Sequence, residues 1–225
     1  MTNSPFKYEE KEGDYYSNVR QDLLTLLPKN SQNLKILEIG AGYGATLFFL
    51  KKEGIASEVV GVDIPENEGT LAFDNIDEFF YVDAEKLDLG KYKGHFDYII
   101  LADVLEHLVH PDEVLQTMKE LLCKEGKILV SMPNFRTKQA FFKVFIKGDF
   151  SYEESGLFDY THLRFFCKKN IRALIEDNGY EVESMVSSLK TYKGRSISKI
   201  VNLLTFRIFE EFLSVQYLVR AKPKA

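Results

Sequence analysis

The chain has 225 residues, 45% of them hydrophobic, with 29 lysines and arginines against 34 acidic residues and a net charge of −5. That length suits one domain with its own core, and the acidic balance offers no broad basic field for a nucleic-acid backbone. Cys123 and Cys167 lie far apart without C-x-x-C spacing, which fits a reducing cytoplasm better than a disulfide framework or a metal site.

Residues 1–13 are polar and do not read as a signal peptide. No uncharged apolar run reaches membrane-spanning length. Over residues 15–27, Tyr16, Val19, Leu23, Leu26 and Leu27 recur with helical period, and Pro28 stops the run. A short apolar strand is expected over 35–39. It passes into Gly40-Ala41-Gly42-Tyr43-Gly44, after which a helical pattern ends near Gly54. Further strands are expected over 57–64, 78–82, 96–101 and 127–132. A helix is expected over 111–122, closed by a turn at Lys124-Glu125-Gly126. A helix over 168–178, stopped by Gly179, precedes strands over 180–187 and 216–221. The alternation predicts an α/β fold with a doubly wound, mostly parallel seven-stranded sheet and an antiparallel C-terminal strand.

The glycine turn is the most informative local feature. Glycine at every second position removes Cβ where the backbone must approach a ligand closely, and the following helix start carries partial positive charge. Gly40, Gly42 and Ala45 also satisfy the dinucleotide fingerprint. Glu38, at the end of the strand, would repel a pyrophosphate and suits a ligand with a cationic ammonium and sulfonium. Asp63, roughly twenty residues past the turn, can accept from ribose hydroxyls of either kind of nucleotide.

Glu38-x-Gly40-x-Gly42-x-Gly44 resembles the first motif of class I S-adenosylmethionine-dependent methyltransferases, a Rossmann-like fold. In register with it, Asp83-Ala84 resembles the family's adenine-binding pair. Phe96–Leu108, with its Val104-Leu105-Glu106-His107 continuation, resembles the family's fourth strand and the segment leading out of it. Residues 127–134 complete the likeness as the fifth strand. The resemblance implies S-adenosylmethionine as cofactor, with Glu38, Gly40, Ala41, Gly42, Gly44, Asp63, Ile64, Asp83, Ala84, Ala102 and Asp103 around it. His107 reads equally as a packing or capping residue.

Phe158-Asp159-Tyr160-Thr161-His162-Leu163-Arg164-Phe165-Phe166 resembles a segment of methyltransferases from bacterial surface-polysaccharide and other small-molecule pathways. Its His162 is the expected general base, since a hydroxyl acceptor must lose a proton and an imidazole titrates near neutrality. No nucleophilic triad or metal cluster is visible in the sequence, and none is expected.

The expected organisation is one methyltransferase domain over 1–225, with a helical segment at 14–28 and substrate-side insertions at 134–160 and 188–214. Both insertions are apolar around much of their circumference, so they are expected to be buried over the sheet and pocket. Homodimerisation comes second, and contact with a membrane or lipid-linked saccharide through the flanking lysines third. The leading function is methyl transfer to a small molecule, such as a nucleotide-linked or lipid-linked sugar, in the cytoplasm. An NAD(P)-dependent oxidoreductase is the alternative, weakened by Glu38 and by the lack of a Tyr-x-x-x-Lys pair. A non-catalytic cofactor-binding scaffold is the other.

Overall fold

A computed structural model describes residues 18–69, 74–191 and 197–224. Seven strands form one sheet: β1 (Leu34–Ile39), β2 (Ala56–Asp63), β3 (Glu78–Tyr81), β4 (Phe96–Ala102), β5 (Leu122–Pro133), β6 (Tyr180–Ser187) and β7 (Gln216–Pro223). Their spatial order is β3-β2-β1-β4-β5-β7-β6. The first five run parallel, and β7 pairs antiparallel with both β5 and β6. The expected mostly parallel, seven-stranded, doubly wound architecture is therefore present.

Alternating side chains explain why both faces are covered. In a strand, successive residues point to opposite faces. Leu37, Ile39, Ile99, Leu101, Ile128 and Val130 enter one core cluster. Ile36, Tyr98, Ile100, Leu129 and Leu218 enter the other. Central strands buried on both sides read as nearly continuous apolar runs, and burying each such side chain contributes about 1.5–3 kcal/mol.

The helices α3 (Pro111–Leu121) and α5 (Lys168–Asp177) cover the first face. Val114, Leu115, Met118 and Leu121 of α3 are buried at helical spacing, as are Ile171 and Ile175 of α5. On the other face lie α1 (Gln21–Leu24) and α2 (Ala45–Lys52). The remaining helical pieces are α4 (Lys138–Ala140), which runs on as a π-helical stretch over Phe141–Ile146, α6 (Ser188–Thr191), α7 (Ile197–Leu204) and α8 (Glu210–Leu213).

Three sequence expectations need correction. The helix expected over 15–27 is reduced to α1 within the described residues, and its start at 15–17 lies outside them. The strand expected from 127 already begins at Leu122: Leu122 pairs with Phe96 and Lys127 with Tyr98, and the expected turn residues 124–126 bulge out between these pairs. The charged residues there are exposed, while a Cβ on Gly126 would lie 2.7 Å from the Phe96 carbonyl oxygen. The glycine thus sits in a bulge that leaves the ladder between Leu122 and Lys127 and passes close to β4.

The third correction concerns the two insertions. Ala140, Leu157 and Phe158 of the first form a small buried cluster of their own with Phe135 and Val144, but many of the other apolar side chains are open. Phe145 is 72% exposed and Phe206 90%, and Phe142, Ile146, Leu203, Leu204 and Ile208 are exposed as well. Phe141 and Phe212 bring the two insertions together, their rings 5.8 Å apart.

Candidate functional site

Parallel strands of this order open a crevice at their carboxyl ends. A cleft of about 660 Å³ occupies that position. Glu38, Gly40, Ala41, Gly42, Asp63, Ile64, Asp83, Ala84, Ala102 and Asp103 all line it, so ten of the eleven residues expected at the cofactor converge there. Gly44 is the eleventh. It stands behind the turn as the residue before α2, with φ +82°, and does not line the cleft.

The turn after β1 owes its shape to glycine. Gly40, Gly42 and Gly44 all have positive φ, a region costly to residues with a Cβ. A Cβ on Gly40 would also lie 2.7 Å from Cγ2 of Val104. The Gly42 N–H donates to Asp63 Oδ2. That donor is therefore engaged by a carboxylate, and the turn does not present it to an incoming phosphate. Asp63 also accepts from the Ile64 N–H at 2.7 Å and from Asn67 Nδ2 at 2.8 Å. Burial raises its pKa, and these three donors oppose the rise.

Glu38 is 3% exposed, and its Oε2 has no hydrogen-bond partner among the described residues. Burial pushes its pKa up to about 8. Asp63 adds to the rise, while Arg20 and Thr46 oppose it. A buried carboxyl oxygen without a partner, facing a cleft, is a place for a cationic or hydrogen-bond-donating ligand group. Asp83 has two tasks: its Oδ1 accepts from the Glu85 N–H at 3.0 Å, capping a short turn, and the residue also lines the cleft.

Asp103 sits just past β4 in the left-handed region, φ +57°. Its carboxylate accepts from Arg20 Nη1 at 2.7 Å, from Ser131 Oγ at 3.0 Å and from Gln216 Nε2. Arg20 also donates to Asp22 and to Ser131 Oγ, and its backbone N–H donates to Thr46 Oγ1. These anchoring residues, Arg20, Thr46, Ser131 and Gln216, escape a motif reading because they come from separate elements. For Thr46, Ser131 and Gln216 the signal in the sequence was a lone polar residue within or beside an apolar run.

A second cavity of about 290 Å³ adjoins the first and shares Asp103 and Gln216 with it. Glu106, Thr137, Leu157, Asp159 and His162 line it. His162 is 7% exposed, and its Nδ1 lies 3.2 Å from the Leu157 carbonyl. A carbonyl only accepts, so Nδ1 bears the proton and Nε2 is the basic nitrogen. Asp159, expected close to His162, lines the same cavity: its backbone carbonyl accepts from the His162 N–H at 3.0 Å, and its carboxylate accepts from the hydroxyl and N–H of Thr161. His107 turns its Nδ1 to the carbonyl oxygen and hydroxyl of the same threonine, at 3.2 and 2.9 Å.

The fold, the acidic residue before the glycine turn and the crevice with its unpartnered carboxyl oxygen define a Rossmann-like nucleotide-binding class of domain suited to a cationic ligand group. Residues 11–185 match a family model described as a methyltransferase domain. The chain belongs to this family of class I S-adenosylmethionine-dependent methyltransferases, and S-adenosylmethionine is its cofactor. The chain is similar to a ubiquinone biosynthesis O-methyltransferase from Nitrosococcus oceani, 25% identical over 158 residues, spanning 67% of this chain and 65% of that protein. It is also similar to a highly reducing polyketide synthase from a Fusarium species, 28% identical over 125 residues, spanning 49% of this chain and 5% of the synthase. The chain thus covers less than two thirds of either relative. An S-adenosylmethionine-dependent methyltransferase from Mesorhizobium loti shares the fold at a TM-score of 0.60 and 15% identity, covering 89% of this chain and 95% of that one.

The residues present fit this cofactor. Glu38 offers an unpartnered carboxyl oxygen to a cationic group, Asp63 and Asp83 line the cleft with carboxylates, and Gly40 keeps the backbone turn open. The nicotinamide alternative loses its support, because the family match identifies a methyltransferase.

Proposed function

We propose that the chain transfers a methyl group from S-adenosylmethionine to a hydroxyl of a small molecule seated in the second cavity, a sugar in surface-polysaccharide synthesis being the finer reading. The observation that carries this is the meeting of the two cavities at Asp103 and Gln216. When bound, the cofactor supplies an already activated methyl group, because its sulfonium departs as a neutral thioether. The chain's task is then position and exclusion of water, which can account for about 7–11 kcal/mol of a barrier.

Asp103, fixed by Arg20, Ser131 and Gln216, forms a rigid wall common to both cavities. His162 is the proposed group acting on the acceptor's proton, with Nε2 as its basic atom. A cavity of about 290 Å³ is at the lower end of small-ligand sites, which suits a single ring better than a polymer. The name of the Nitrosococcus relative supports an oxygen acceptor.

The exposed insertions bear on how the acceptor is presented. Segments 136–147 and 188–209 hold nine lysines and arginines and no acidic residue in sequence, in a chain of net charge −5, while Arg136, Lys143 and Lys190 pair with Glu211, Glu153 and Glu210 just outside them. An apolar surface with such a basic border complements an anionic membrane surface. A second copy of the same face would bring like charges together. The proposed partner is therefore a membrane interface carrying a lipid-linked acceptor. Among the described residues, no helix is long and apolar enough to cross a membrane.

Thermal unfolding with S-adenosylmethionine, S-adenosylhomocysteine and NAD tests the cofactor half of this reading. A ligand at about a hundred times its Kd raises the midpoint by about 5–11 °C. Methyl transfer from labelled cofactor to a panel of free and lipid-linked sugars tests the other half. Cofactor binding without transfer to any acceptor would favour the scaffold alternative.

A further inference from the structure

We propose that Glu106, His107 and His162 form a binding site for a first-row divalent cation at the junction of the two cavities. The three residues come from two distant segments, 106–107 and 162, and their ligand atoms all lie within 4.8 Å of one another. Backbone hydrogen bonds fix this meeting: the N–H groups of Leu163 and Arg164 both donate to the Glu106 carbonyl, at 3.0 and 3.1 Å. His107 lines the cofactor cleft, whereas Glu106 and His162 line the second cavity.

Glu106 is the strongest witness. Its side chain is fully buried, and neither carboxyl oxygen has a hydrogen-bond partner among the described residues. Leaving such a group unsatisfied is costly, and more so when it is charged. A cation would compensate the cost at its source.

The histidines are prepared as ligands. Both imidazoles engage Nδ1 with backbone carbonyls, His162 with Leu157 and His107 with Thr161. That is how a neutral ligating histidine is held in its tautomer, with Nε2 as the coordinating atom. His162 Nε2 lies 4.0 Å from Glu106 Oε1. Two donors about 2.1 Å from one ion stand at most about 4.2 Å apart, so small side-chain adjustments complete the shell. Two imidazoles and one carboxylate favour ions such as Zn²⁺, Mn²⁺ or Fe²⁺ over Mg²⁺ or Ca²⁺.

The site's role rests on the methyl-transfer reading, although its existence does not. A cation there would draw the acceptor oxygen into place and acidify its O–H. The proton passes to solvent, the oxygen–carbon bond forms as the carbon–sulfur bond breaks, and the electron pair of the broken bond leaves with sulfur. No oxidant or reductant is consumed. With Nε2 on the ion, His162 holds the metal and does not itself take the proton, so in this arrangement the ion replaces the general base.

Tag-free protein, stripped with chelator, is titrated with Co²⁺ and followed by its visible absorption. One ion per chain is expected, with Glu106→Gln and His162→Gln each weakening binding at least about tenfold. The midpoint rise with S-adenosylhomocysteine, measured on each variant, shows that the fold and cofactor cleft survive. Absence of stoichiometric binding, or binding unchanged in both variants, overturns the site. Should a variant fail to fold, anomalous scattering from Co²⁺-loaded crystals of the parent decides: density among the three residues supports the site, and density elsewhere or nowhere rejects it. Cobalt binding without methyl transfer to any acceptor would sink the function while leaving the site standing.

Discussion

Arg20 Nη1 donates to Asp103 Oδ2 at 2.7 Å, across 83 positions of sequence. The contact ties the segment before α1 to the end of β4, with Ser131 of β5 and Gln216 of β7 joining the same network. One cation therefore holds Asp103, in its left-handed backbone, at the wall common to the two cavities.

Arg20→Ala is expected to cost about 2–3 kcal/mol, because it strips a half-buried carboxylate of its charged partner. The unfolding midpoint should fall by about 4–12 °C. Affinity for S-adenosylhomocysteine should drop at least about tenfold, as read by calorimetry. A variant with unchanged affinity would show that the Asp103 network does not organise the cleft.

Gly40→Ala meets two obstacles, a positive φ and the Val104 methyl 2.7 Å away. Together they should cost about 2–4 kcal/mol. Adding Val104→Ala removes the second obstacle alone. Urea unfolding of both single variants and the double should therefore show partial, incomplete compensation. Full recovery would mean that the backbone tolerates alanine there.

Glu38 gives the stability a sign with pH. Its folded pKa of about 8 exceeds the usual carboxyl value of about 4.3. Between those values the folded chain holds a proton that the unfolded chain has lost. Its contribution to stability is thus complete below about pH 4 and declines as pH rises toward 8. The parent should lose about 2–5 kcal/mol more than Glu38→Gln between pH 5 and pH 8. A cationic ligand favours the ionised form, so cofactor binding near pH 7 should release a proton, seen as a buffer-dependent binding enthalpy. Parallel stability profiles for the two proteins would refute the assignment.

The exposed insertions predict binding to vesicles containing anionic lipid. Phe145→Ser and Phe206→Ser should each weaken co-sedimentation by about tenfold or more, given the 1.5–3 kcal/mol that burial of such a ring is worth. Added salt should weaken it further. Both side chains are exposed in the folded chain, so the midpoint should stay within about 2 °C. Failure of the parent to pellet with such vesicles would dispose of the membrane reading.

Strands were legible where both faces are buried, because apolar runs such as Ile99-Ile100-Leu101 leave little choice of conformation. β6 was placed to the residue and β4 to within one. The start of β5 was hidden because Lys124, Glu125 and Gly126 carry turn chemistry while forming a bulge inside the strand. Periodicity also could not say what covers an apolar helix, so the insertions read as core and lie largely open. Motif residues Glu38, Asp63, Asp83 and Asp103 were legible because each stands at or just past the end of a strand. Glu106, His107 and His162 were not legible as a cluster, since only folding brings the two segments together.

The last strand in sequence, β7, lies between β5 and β6. During synthesis, β6 would leave the ribosome before its neighbour in the sheet, and β5 would keep an open edge meanwhile. Insertion of β7 seals that edge and carries Gln216 to Asp103 in the same movement. The wall between the cavities is therefore the last part of the crevice to be finished. A nascent or truncated chain already holds the glycine turn and still lacks the Gln216 contact shared by the two cavities.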